Sequence, residues 1–170
     1  MRWVDYWDGR HFGINNAAQL RVLASQFPQD FKKSMAGETA SPTMRSVVTK
    51  LAQAFATNNA TAAAQLFTAD AVFEDMTLHA QIIGQLAITG YLQRALPHLP
   101  YGYQSAIRHV VGSTIGGGYE WTSSIGSVPR GAIGLELNQQ GQITRLTAVW
   151  DGSLLDDASF NTQHTPTIEH

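Results

Sequence analysis

Residues 71–84 read AVFEDMTLHAQIIG, a stretch that sets two adjacent carboxylates, Glu74 and Asp75, inside a strand-like apolar run. Side chains of a strand alternate between faces, so Val72, Glu74 and Met76 share one side while Ala71, Phe73 and Asp75 share the other. One acid therefore points the same way as Phe73. A turn at Leu78-His79 returns the chain as AQIIG, which reads as a hairpin with one carboxylate on its apolar face.

The flanking segments extend the pattern. Upstream, SPTMRSVVTKLAQAFATNN starts with Ser41 or Thr43 as a helix cap and repeats Val47, Val48, Leu51, Ala54 and Phe55 at helical spacing, ending at Asn58-Asn59. ATAAAQLF reads as a second short helix, and TAD leads from it into the strand. Downstream, QLAITGYLQRAL is a third helix with Ile88, Tyr91, Leu92 and Leu96 apolar, stopped by Pro97. After Pro100 the spacing becomes that of strands: QSAIRHVVGSTIG, GYEWTSSIG, RGAIGLELN and QITRLTAVWDG, with Gly116-Gly117-Gly118 as the expected hairpin turn. Helices come first and strands last, which predicts an α+β domain with an antiparallel sheet curled around the helices.

A chain of 170 residues, 44% of them hydrophobic, fits one domain with one sizeable core. A formal charge of −2 and scattered Lys and Arg give no electrostatic footprint for nucleic acid. The absence of cysteine excludes disulfides, thiolate catalysis and Cys-ligated zinc. No His/Asp/Glu trio has metal-ligand spacing and no glycine-rich loop opens a helix after a strand, so neither a metal nor a cofactor is expected. No apolar stretch approaches the roughly 20 residues of a membrane helix, and MRWVDYW is too polar and aromatic for a signal peptide. The expectation is a cytoplasmic protein with no membrane partner.

Residues 1–42 read as an N-terminal arm, 43–155 as the body and 156–170 as a polar, disordered tail holding His164 and His170. Trp3, Tyr6, Trp7 and Phe12 are too apolar to leave in water, so the arm is expected to be ordered. Its Trp7-Asp8-Gly9 repeats Trp150-Asp151-Gly152, which makes it either a copy of the closing strand from a preceding similar domain or an extension covering a sheet edge. His79 and His98 read as turn residues, and Arg108 and Arg130 as solvated or dimer-facing.

The run LFTADAVFEDM, the Gly84 nine residues after Asp75, the helix QLAITGYL and the strand ITRLTAVWDGS resemble the nuclear-transport-factor-2-like superfamily, in particular its SnoaL-like and ketosteroid-isomerase-like members, over about residues 43–155. The resemblance implies a cone-shaped barrel of three helices on a strongly curved antiparallel sheet, with a ligand pocket inside and a homodimer formed through the outer sheet surface. It places Asp75 as the proton-shuttling acid. It also removes the isomerase's oxyanion donors, whose positions fall at Leu51 and Ile133, so the usual ketosteroid chemistry loses a major source of transition-state stabilisation. The pocket aromatic of the closing strand falls at Trp150.

From the residues themselves, a carboxylate walled by Phe73 loses hydration, its pKa rises, and it becomes usable as a base near neutrality. Alternation puts His109 on the more apolar side of its strand with Ile107, and Tyr119 with Trp121 on one face of the next. The expected site therefore has Asp75 and His109 as catalytic residues and Phe73, Tyr119, Trp121, Trp150, Leu51 and Ile133 as substrate contacts. Two classes follow. One is a cofactor-independent isomerase, cyclase or dehydratase acting by general acid/base catalysis on a small, largely apolar polyketide- or steroid-like ring. The other is a non-catalytic module that binds a small hydrophobic molecule or serves dimerisation. Asp75 and His109 facing one space favours the first; His109 outside favours the second.

Overall fold

The computed structural model describes residues 39–165, so what was expected of the arm through residue 38 and of the tail beyond residue 165 lies outside the described residues. Three helices precede most of the sheet. Helix α1, Pro42–Ala56, is capped by Ser41, whose Oγ accepts from the Met44 N–H at 3.0 Å, and has Pro42 in its first turn where a missing N–H costs nothing. Asn59 caps α2, Ala60–Ala64, by accepting from the Ala62 N–H at 3.0 Å. Helix α3, Gln85–Ala95, follows Gly84, whose φ of +94° is a backbone conformation that side chains disfavour.

Six strands among the described residues form one curved sheet: β1 Phe67–Asp75, β2 Ala80–Ile83, β3 Ala106–Gly112, β4 Gly116–Thr122, β5 Arg130–Leu137 and β6 Ile143–Trp150. Their order is β2-β1-β6-β5-β4-β3. The hairpin of residues 71–84 is present, with Val72 opposite Ile83 and Asp75 opposite Ala80. The all-antiparallel expectation is corrected at one place, because β1 and β6 run parallel. Such a pair needs a long crossover, here the whole of β2, α3 and β3–β5, which local spacing does not reveal. Strand β1 also begins earlier than expected: α2 stops at Ala64, and Leu66 and Phe67 already form the β1 side of a pairing with Ile143.

One row of paired residues crosses the sheet on the face toward the helices: Ala80, Asp75, Ala148, Ile133, Tyr119 and Val110. Helix α1 packs on β3 and β4, and α3 on β1 and β2. Leu51, Phe55, Ile88, Tyr91 and Leu92 meet Phe73, Tyr119, Trp121, Ile133 and Trp150 in one core. Val110 of β3 is partly buried and packs against this core.

Gly116-Gly117-Gly118 is not a turn but the start of β4. A Cβ on Gly117 would sit 2.3 Å from the Val111 carbonyl oxygen and one on Gly118 2.1 Å from that of Ile133, so the glycines serve close approach of backbones. The turn lies at residues 113–115, where Ser113 Oγ accepts from the Gly116 N–H at 3.2 Å. Beyond β6, Asp157–His164 forms helix α4, capped by Asp156, where a disordered tail was expected.

Candidate functional site

Asp75 ends β1 with its side chain turned to the helices, and it is fully buried. Its Oδ1 accepts from the backbone N–H groups of Thr77 and Leu78, both at 3.0 Å, closing the turn that leads to β2. Its Oδ2 accepts from Tyr101 Oη at 2.8 Å and from Trp150 Nε1 at 3.1 Å. Four donors thus occupy both oxygens. Thr77 locks the same corner: its hydroxyl donates to the Trp150 carbonyl at 2.7 Å and accepts from the Trp150 N–H at 3.1 Å. Burial pushes the Asp75 pKa up, against the opposing pull of Trp150, Leu78, Tyr101 and Thr77.

Aromatic rings fill the interior around this carboxylate. The Tyr101 ring lies 5.9 Å from that of Phe55 and 5.9 Å from that of Trp121, and Phe73 packs 5.3 Å from Tyr91. Trp121 lies against the backbone of β5, where a Cβ on Gly131 would come within 2.4 Å of its Cζ2. Two polar atoms of the interior, Tyr91 Oη and Trp121 Nε1, have no hydrogen-bond partner. Burial is also the main reason that the pKa values of Tyr91, Tyr101 and Tyr119 are raised.

All six expected contacts are therefore brought together: Phe73, Tyr119, Trp121, Trp150, Leu51 and Ile133 belong to the core that encloses Asp75. His109 does not join them. It pairs with Glu120, whose other neighbour Ala132 lies opposite Val149, on the face away from Ala148 and Asp75. Its Nε2 stands 3.8 Å from Glu120 Oε2. The cause is a break in register: Ile107 faces Trp121 and Val110 faces Tyr119, three residues apart rather than two, so a bulge between Ile107 and His109 reverses the alternation. Arg130, expected in solvent or at a dimer face, is buried within this chain. Thr77, Tyr91 and Tyr101 were missed. For Tyr101 the signal was a tyrosine set in LPYGY, between a proline and a glycine in a segment with no apolar period.

On the opposite face, Glu74 accepts from Arg145 at 2.7 Å, Gln81 at 2.7 Å and Thr147 at 3.2 Å. Arg145 foremost, then Gln81, holds the Glu74 pKa below the usual glutamate value. An open surface depression of about 420 Å³ lies at the helix ends, lined by Thr57, Asn58, Asn59, Ala60, Thr61 and Gln93, none of them an expected site residue. Among the described residues no cluster of His, Asp or Glu is placed to hold a metal ion, and no helix is long and apolar enough to cross a membrane.

No protein-family model matches this chain, and no curated protein does. Solved structures do. A steroid delta-isomerase from Pseudomonas aeruginosa superposes with a TM-score of 0.57 at 13% identity, over 77% of this chain and 93% of that one. An NTF2-like protein of unknown function from Burkholderia xenovorans LB400 gives 0.53 at 20% identity, over 64% and 83%. A de novo designed protein with a curved β-sheet gives 0.59 at 12% identity, over 75% and 99%. A likeness shared by an isomerase and a designed scaffold speaks for architecture and not for a reaction. With three helices on a curved six-stranded sheet, this chain has the fold of the nuclear-transport-factor-2-like and ketosteroid-isomerase-like proteins.

Proposed function

We propose that this chain is a non-catalytic binding module, which uses the cone to hold a small, largely apolar ring molecule and leaves it chemically unchanged. The observation that carries this reading is the set of four donors on the fully buried Asp75. A general base needs a lone pair aimed at the proton it removes. With His109 on the other face, the imidazole expected to act beside it is not there. The aromatic walls supply what an apolar ring requires, area and ring stacking. We place a homodimer interface on the outer sheet face, where Glu74, Arg145 and Glu136 lie among Thr147, Met76 and Ile83.

Acid–base isomerisation is the second reading. Burial raises the Asp75 pKa, as a base working near neutrality requires, and the fold is shared with a steroid delta-isomerase. One pair of measurements separates the two. Titration with the planar probe 2-naphthol, followed at the indole N–H resonances of Trp121 and Trp150, is expected to show saturable binding. Isomerisation of a steroid double bond, followed by absorbance, is expected to be absent. Turnover that disappears in Asp75→Asn overturns the non-catalytic reading, and a failure of every ring probe to bind up to its solubility limit overturns the binding reading.

A further inference from the structure

Tyr101 is the one member of the carboxylate cage that reaches it from outside the sheet and its adjoining turn. Residues 96–105, in turns and bends with no helix or strand, connect α3 to β3, and Tyr101 sits in their middle. Most backbone hydrogen bonds around them stay local: Gly102 N–H to Leu99 O at 2.9 Å and Ser105 N–H to Gly102 O at 3.1 Å. The bond from Gln104 N–H to Ala56 O, at 3.2 Å, reaches the body. The loop surfaces beyond the buried Gly102, with Tyr103 half exposed, while the Tyr101 ring is driven between Phe55 and Trp121. Its hydroxyl donates to Asp75 Oδ2.

We propose that Tyr101 is a built-in stand-in for the ligand, a phenol carried on a movable loop that occupies the interior ring site until an external planar ring bearing a hydroxyl displaces it. This deepens the proposed binding function and rests on it. The ligand class follows from the atoms left when Tyr101 withdraws. Asp75 Oδ2 then loses one of its two donors and keeps Trp150 Nε1 alone. Tyr91 Oη and Trp121 Nε1, both buried and already without acceptors, offer hydrogens. A hydroxyl donates one hydrogen and accepts up to two, so one such group can answer the carboxylate and a neighbouring donor together. A ring without a polar group leaves the carboxylate short of a donor, and an anionic ring sets a second negative charge beside it.

A self-ligand lowers apparent affinity by the fraction of time that the site is free, so weakening it must strengthen external binding. The test uses 2-naphthol and naphthalene with the full chain and the variants Tyr101→Phe and Tyr101→Ala. Tyr101→Phe keeps the ring and removes its hold on Asp75. It is expected to bind 2-naphthol about tenfold tighter than the unaltered chain, with a smaller gain for naphthalene; Tyr101→Ala is expected to gain more. Phe55→Ala controls for the making of a cavity and is expected to gain equally for both probes. In the unaltered chain, 2-naphthol is expected to speed amide exchange at Gly102 and Gln104, a readout that a purely structural tyrosine would not move. Equal affinity in the unaltered chain and in Tyr101→Phe, or unchanged exchange in the loop on saturation, overturns the stand-in while binding itself stands. No binding to any of these proteins overturns both. If Tyr101→Ala fails to fold, Tyr101→Phe and the exchange measurement decide alone.

Discussion

Glu74 and Asp75 are neighbours in the chain whose surroundings pull their titrations apart. Asp75 is raised from the ordinary 3.8 by burial, so the folded state keeps its proton longer than the unfolded chain; this contribution to stability is full below 3.8 and is lost as pH rises through the elevated value. Glu74 is lowered from 4.5 by Arg145, so its contribution is present above 4.5 and lost as pH falls through the depressed value. NMR titration is expected to give an Asp75 midpoint above, and a Glu74 midpoint below, their free values; the reverse order would contradict the faces assigned here. Asp75→Asn is expected to flatten the first limb and to cost about 1–3 kcal/mol at neutral pH in urea unfolding. The amide nitrogen there faces donors, since Tyr101 Oη and Trp150 Nε1 both point at Oδ2. From sequence, alternation beside Phe73 was enough to identify the inward acid. Its cage was not legible, because three of its four donors come from a turn and a loop, where side-chain direction follows no period.

Among the elements, β5 shows how a strand can be shaped by what lies on it. Gly131 stands beneath the Trp121 indole, and a Cβ there would meet Trp121 Cζ2 at 2.4 Å and the Val149 carbonyl oxygen at 2.7 Å. Gly131→Ala is therefore expected to lower stability by about 1–3 kcal/mol, read by denaturant midpoint, with a change in tryptophan fluorescence as the ring is lifted. An unchanged midpoint would mean that the ring moves aside freely. Strands β3 to β6 were legible because each alternates clearly or ends at a glycine or polar turn. The exception is instructive: one extra residue after Ile107 carries His109 to the other face, and no pattern within AIRHVVG announces it. Gly116-Gly117-Gly118 misled for a related reason. Glycine marks both sharp turns and close strands, and the partner backbones at Val111 and Ile133 decide between them.

At the scale of the molecule, the outer sheet face is the proposed ground for a homodimer. Light scattering at micromolar concentration is expected to return about twice the chain mass of 18.5 kDa, and a monomer mass would contradict it. The order of strands has a further consequence, for the way the chain acquires its shape. The β1–β2 hairpin and the β3–β4–β5 meander can each form from neighbouring residues, but no strand pairing joins them until β6 slides between β1 and β5. The bond from Trp150 to Asp75 spans 75 residues, and the entropy of closing so long a loop falls due before it is recovered. A ribosome making this chain thus holds two open half-sheets with bare edges until β6 emerges, and the carboxylate cage is the seal on that act of closure.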